Sequence, residues 1–281
     1  MRIYIVTLFP KMISSFFNES IVKRAQEKKL VDIEIINLRE FAIDDYGTVD
    51  DRPYGGGAGM IMRVDVIYKA LSHVISSGAR NLAKRKLRSL SINSRSLDSS
   101  SPSAPQNDEE GRKTILTSPK GKIFNQQKAQ EYSKLDHLVI IAGHYEGVDE
   151  RVRDFIDEEI SLGDFIMTGG ELTAAVIVDS VVRLTPGVLK KNEATQLESF
   201  MNVSINQLID TIGEKELLNK LKKKGVKEIK LLEYPQYTRP EEFMGKKVPD
   251  ILLSGNHGKI EKWRIKKAFA ETLKRRQDLL S

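Results

Sequence analysis

The sequence turns on Leu162-Gly163-Asp164-Phe165-Ile166-Met167-Thr168-Gly169-Gly170-Glu171-Leu172. An apolar run broken by Gly163 and closed by Gly169-Gly170 predicts backbone held close to something, because glycine permits φ > 0 and close approach. No standard nucleotide fingerprint fits it. The spacing predicts a loop wrapped on a small molecule. A long apolar helix follows through Ala174, Ala175, Val176, Val178, Val181 and Val182 to Arg183, stopped at Thr185-Pro186-Gly187.

Immediately upstream, His137-Leu138-Val139-Ile140-Ile141-Ala142 is the most continuous apolar run in the chain, which predicts a central parallel strand. It delivers Gly143-His144-Tyr145-Glu146-Gly147 to one edge of the sheet. Thr114-Ile115-Leu116-Thr117 predicts a second strand, ending in the turn signal Ser118-Pro119-Lys120-Gly121-Lys122. Two strand ends with glycine-bearing loops make a pocket rim, where α/β sheets carry their active sites. Residues 2–8 read as a buried strand and 11–30 as helical, with Ile13, Phe16, Phe17, Ile21, Val22 and Ala25 and a candidate Ser20 cap. Residues 31–35 alternate as the next strand. The fold class is therefore α/β with a parallel sheet.

Between these lies Asp50-Asp51-Arg52-Pro53-Tyr54-Gly55-Gly56-Gly57-Ala58-Gly59-Met60, followed by a predicted helix over 61–74. Exposed amides before a helix make either an anion site or an ordinary surface loop, and spacing alone leaves both open. Residues 84–113 turn Ser-rich and charged, which predicts a disordered insertion. Beyond Leu189 the composition becomes polar and reads as an interdomain linker. Leu208, Ile212, Leu217, Leu218 and Leu221 then have the look of an inserted helical hairpin. In the final helix, from about Lys259, the spacing puts Ile265, Phe269 and Leu273 on one face and Arg264, Lys267, Lys274 and Arg275 on the other. Such a basic stripe suits phosphates or is simply a solvated face.

At 281 residues the chain is long enough for about two domains. It has no cysteine, hence no disulfide framework and no thiolate metal site, and its four histidines are scattered, so no metal centre is expected. No apolar stretch approaches the ~18 residues of a membrane span, and the N-terminus enters a strand pattern directly, so the expected location is cytoplasmic. A net charge of +6 favours an acidic partner, nucleic acid first.

Several blocks together carry a resemblance: Asp50 to Gly57, Gly143-His144-Tyr145-Glu146-Gly147-Val148-Asp149-Glu150-Arg151, Leu162-Gly163-Asp164 with Thr168-Gly169-Gly170-Glu171-Leu172, Pro186-Gly187-Val188-Leu189, Tyr237-Thr238-Arg239-Pro240, and Ser254-Gly255-Asn256-His257 with Lys262-Trp263-Arg264. In order and content they resemble the bacterial tRNA (guanine-37-N1)-methyltransferases, leaving out about 85–112 and 203–230. The resemblance implies the trefoil-knotted (SPOUT) methyltransferase fold. Its α/β domain, 1–189, binds S-adenosylmethionine; a linker, 190–202, leads to a smaller, mostly helical tRNA-binding domain, 203–281. The implied knot stretches are 116–119, 143–147 and 162–172. The implied cofactor residues are Leu116, Thr117, Ser118, Pro119, Gly143, Tyr145, Glu146, Gly147, Leu162, Gly163, Phe165, Met167, Gly169 and Gly170.

Methyl transfer to guanine N1 needs a base for the N1 proton and a cation for charge developing on O6. The resemblance implies Arg183 as the cation and Glu198 as the base. Glu198 departs from the family's aspartate: the reference pKa values are close, about 4.3 against 3.9, but the extra methylene moves the carboxylate by about 1 Å, and such shifts can cost about a hundredfold in rate. Thr173 stands where the family usually has proline. RNA contacts are implied at Arg52, Tyr54, Gly55, Gly57, Gly59, Asn256, His257, Arg264 and Lys267, with the target guanine flipped out for access to its Watson–Crick edge. The family further implies a homodimer with a site built from both chains, and assistance from a divalent ion such as Mg2+, for which no ligand cluster stands out. The competing reading is an RNA-binding homologue that keeps the pocket but has weak or no transfer activity.

Overall fold

The computed structural model describes residues 1–78, 111–189 and 198–280. The expected insertion at about 85–112 therefore lies almost entirely outside the described residues, as do linker positions 190–197. Two compact units divide the chain, Met1–Lys190 and Lys191–Ser281.

The first unit is a three-layer α/β structure. Its elements are β1 (Arg2–Thr7), α1 (Pro10–Phe17), α2 (Ser20–Glu27), β2 (Asp32–Asn37), the short pair β3 (Asp50–Asp51) and β4 (Ile61–Met62), α3 (Val64–Gly78), β5 (Arg112–Ile123), α4 (Gln126–Tyr132), β6 (His137–Ala142), β7 (Glu158–Ser161) and α5 (Glu171–Val182). Five strands pair in parallel in the order β2-β1-β6-β5-β7, so the run HLVIIA is the central strand. Alternation on β1 and β6 sends Ile3, Ile5, Leu138 and Ile140 to a core shared with α1, α2, α4 and α5. Tyr4, Val6, Val139 and Ile141 face the opposite core, under α3 and the 3-10 turn Glu150–Phe155. Burial on both faces is why these strands are apolar without interruption.

Two local expectations change. The helical pattern over 11–30 breaks into α1 and α2, because the chain turns at Asn18 and Ser20 takes φ +51 as the first residue of α2 instead of capping it. Ile61 and Met62 pair with Asp51 and Asp50 before α3 begins.

The second unit comprises β8 (Met201–Ser204), α6 (Ile205–Ile212), α7 (Glu216–Lys223), β9 (Glu228–Leu231), a small hairpin of β10 (Glu242–Phe243) and β11 (Lys246–Lys247), α8 (Asp250–Leu253) and α9 (His257–Arg275). The expected helices within 203–230 are present, but framed by β8 and β9, which pair antiparallel. They are not an appendage: Leu208, Leu218, Leu221, Ile229 and Leu231 share one core with Ile265, Ala268 and Phe269 of α9. The buried stripe of α9 is Ile265, Ala268, Phe269 and Thr272, whereas Leu273 is exposed.

Candidate active site

At the carboxyl ends of β5, β6 and β7, three loops close on a cleft of about 290 Å³. The first arises because β5 leaves its pairing with β7 after Thr117 and resumes at Lys122, both residues facing Ile160. The intervening Ser118–Gly121 detour forms one wall, and Lys120 N–H donates to Ser118 Oγ at 3.2 Å. The second is 143–147, where Tyr145 takes φ +59 and Gly147 φ +128. The third is 162–170, tightened by Gly163 N–H donating to Ser161 Oγ at 3.1 Å.

The loops are joined mostly by backbone. Gly170 N–H donates to Gly143 O at 2.6 Å, Gly143 N–H donates to Thr117 Oγ1 at 3.1 Å, and His144 forms an antiparallel bridge with Gly169. A Cβ on Gly170 would overlap the Thr117 hydroxyl, and one on Gly169 would overlap the side chains of His144 and Glu171. Both glycines are therefore required by space. Arg153 and Glu159 pair at 2.6 Å in the lining.

Leu116, Thr117, Ser118, Pro119, Gly143, Tyr145, Glu146, Gly147, Leu162, Gly163, Phe165, Met167, Gly169 and Gly170 all line this one cleft. His144 and Thr173 line it too, outside the set selected from sequence. Tyr145 is braced from outside: burial and a hydrogen bond to Asp50 raise its hydroxyl above the ordinary tyrosine value.

The Gly55–Gly59 loop meets the rim. Glu146 N–H donates to Met60 O at 3.1 Å and Met62 N–H donates to Gly147 O at 3.0 Å. Gly59, at φ +81, has no room for a Cβ beside the Glu146 side chain. Arg52 is exposed, and Tyr54 stands fully in solvent.

Arg183 caps α5 at the end away from the cleft and does not line it. From Gly170, a helix of 12 residues separates the two by about 18 Å. Glu198 belongs to the second unit, where its carbonyl accepts from Met201 N–H at 3.1 Å.

On the second unit, Asn256 caps α9 by accepting from Lys259 N–H at 3.1 Å, which engages its side-chain oxygen, and His257 begins the helix. Arg264 is not on a solvated stripe. It is half-buried, its guanidinium lies 5.0 Å from the Tyr234 ring centroid, and its buried Nε lacks a hydrogen-bond partner. Lys267 is exposed, 5.9 Å from the Trp263 centroid.

Among the described residues no group of three or more His, Asp or Glu side chains could hold a metal ion. No helix among them is long and apolar enough to cross a membrane.

Comparison with known proteins gives a family model described as tRNA (Guanine-1)-methyltransferase TrmD, matching residues 1–281. A tRNA (guanine-N(1)-)-methyltransferase of Geobacillus kaustophilus is 46% identical over 281 residues, covering 100% of this chain and 91% of that protein. Its counterpart in Citrifermentans bemidjiense is 45% identical over 281 residues, covering 100% and 90%. That of Dictyoglomus turgidum is 44% identical over 280 residues, covering 100% and 90%. With the whole chain matched and identity of this order, the protein belongs to the TrmD family of tRNA (guanine-1)-methyltransferases.

Proposed function

We propose that this chain transfers a methyl group from S-adenosylmethionine to N1 of guanine 37 in tRNA, in the cytoplasm. The observation that carries the reading is the convergence of the three glycine-bearing loops on one cleft in a chain that matches the family throughout. S-adenosylmethionine fits such a cleft: walls limited by Gly143, Gly169 and Gly170 let backbone amides and carbonyls approach a ligand closely. The hydrogen bonds among Thr117, Gly143 and Gly170 also support a trefoil-knotted arrangement, whose loops part only by unthreading.

Bound there, S-adenosylmethionine supplies an electrophilic methyl group on a sulfonium. The chain's own residues handle the guanine. Glu198 would take the N1 proton as N1 bonds to the methyl carbon and the carbon–sulfur bond breaks, its electron pair going to sulfur and S-adenosylhomocysteine leaving, while the Arg183 guanidinium would stabilise the charge that develops on O6. The residues around Gly55–Gly59 at the rim, with Arg52 and Tyr54, and Asn256, His257, Arg264 and Lys267 on the second unit contact the tRNA.

Arg183 lies a helix length from its own cleft, so in this reading it serves the cleft of a second copy. An apolar face supports that homodimer: Met12 and Phe16 on α1 and Leu172 and Val176 on the neighbouring α5 remain exposed. Exposed apolar side chains grouped on two touching helices suit an interaction site.

The test is incubation of purified protein with labelled S-adenosylmethionine and tRNA transcripts carrying guanine or adenine at position 37. Label is expected only in the guanine transcript, and no incorporation there rejects the reading. Glu198→Gln should lower kcat by about a hundredfold or more with cofactor affinity unchanged. An unaffected variant removes Glu198 from the mechanism.

A further inference from the structure

Glu171, the first residue of α5, is a carboxylate with no solvent exposure. Burying an ionised carboxylate is costly unless donors surround it. Here Oε1 accepts from Thr7 Oγ1 at 2.9 Å, and Oε2 lies 3.4 Å from His144 Nδ1. The amino-terminal end of α5 favours negative charge at this position. Thr7 Oγ1 in turn accepts from Phe9 N–H at 3.0 Å, and the Phe9 ring packs 4.6 Å from the His144 ring. A closed circuit of four residues thus joins the end of β1, the 143–147 loop and the start of α5.

The loop has reason to need such a tether. Tyr145, next to His144, holds φ +59, a conformation costly for a residue with a Cβ, which persists only when its surroundings over-determine it. His144 is fixed at several points: its N–H donates to Met62 Sδ at 3.1 Å, its backbone bridges Gly169, and its ring stands edge-on to Tyr145 at 4.9 Å. Gly169 is small because the Glu171 and His144 side chains occupy the space a Cβ would take.

We propose that Glu171 and His144 are a positioning pair: the buried carboxylate orients the imidazole, and the imidazole holds the strained 143–147 turn in the conformation that gives S-adenosylmethionine its backbone wall. This rests on the cofactor reading of the cleft. The pair requires Nδ1 to carry the proton that faces Glu171, which in a neutral imidazole is the reverse of the tautomer usual in water. Neither side chain is assigned a proton-transfer step.

The experiment is a double-mutant cycle with Glu171→Gln, His144→Ala and the pair together. S-adenosylmethionine affinity is measured by calorimetry without tRNA, thermal unfolding serves as the folding control, and 15N NMR reads the His144 tautomer. Each single variant should weaken binding about tenfold, and the double variant no more than either single, since one contact is removed each time. The tautomer should be Nδ1–H in the native chain and shift in Glu171→Gln. Losses that multiply to about a hundredfold, unchanged affinity in His144→Ala, or an Nε2–H tautomer in the native chain would each overturn the pair. Should Glu171→Gln fail to fold, His144→Ala and the native-chain spectrum still decide. A native chain that binds no S-adenosylmethionine rejects the cofactor reading, whereas a native chain that binds it alongside indifferent variants rejects only the pair.

Discussion

At their amino-terminal ends β5 and β7 are held by long charged side chains, and at their carboxyl ends by backbone amides and a hydroxyl. Near the start of both strands, Glu158 accepts from Lys128 Nζ at 2.7 Å and from Tyr132 OH at 2.7 Å, with Lys113 Nζ at 3.1 Å and Glu131 closing the network. At the cleft, Thr117, Gly143 and Gly170 leave no volume for an additional carbon. Long side chains reach their partners across slack and can re-pair when one is lost. Backbone contacts set at van der Waals distance have no such reserve. One strand pair therefore presents a tolerant end, concerned with stability, and an intolerant end at the proposed cofactor cleft.

The sharpest way to break this contrast is Gly170→Ala. Overpacking of this sort costs about 1–3 kcal/mol, roughly ten- to a hundredfold if it falls on binding. Calorimetry should show that loss of S-adenosylmethionine affinity, and native-like binding would mean the cleft has slack after all. At the other end, Glu158→Ala removes the acceptor shared by Lys113, Lys128 and Tyr132 and leaves both lysines to Glu131 alone; because the site is partly solvated the expected cost is about 2 kcal/mol in denaturant unfolding, with cofactor affinity unchanged.

Acid should act on the tolerant end first. Burial pushes the Glu158 carboxyl up, but hydrogen bonds from Lys128, Tyr132 and Lys113 outweigh it and hold the group below its ordinary 4.5; Lys113 likewise depresses Glu131. A carboxylate depressed in the folded state contributes stability above its unfolded pKa, and that contribution disappears as pH falls through the folded value. Unfolding followed below pH 4.5 should therefore show a loss of about 1 kcal/mol that Glu158→Gln removes. The smallest effect on folding belongs to Tyr54→Ala, which touches neither end: stability should stay within about 0.5 kcal/mol, while tRNA affinity, read by filter binding, drops about fivefold.

Much of this architecture was legible in the sequence because local pattern and tertiary role coincide. Alternation in β1 and the unbroken HLVIIA run specify strands buried on both faces, and glycines after β6 and β7 mark the cleft. Sequence was silent where distant partners set the meaning of a residue. Glu171 looks like any acidic residue in a helix's first turn, yet its partners are 164 and 27 positions away. Arg264 falls on the polar side of a helical wheel but packs on Tyr234 from outside the helix. The break between α1 and α2 was missed because the apolar spacing continues across it while the backbone turns.

The departure of β5 between Thr117 and Lys122, both opposite Ile160, divides that strand into a structural part and a detour. Leu116↔Glu159 and Ile123↔Ser161 stay in the ladder whatever lies between, and Gly121, pressed on the Glu159–Ile160 backbone, marks the point of return. Sheet register is thereby uncoupled from pocket shape. Within the span of Ser118–Lys120, residue identity can drift, and the contour offered to a ligand with it, without any strand of the sheet sliding past its neighbour.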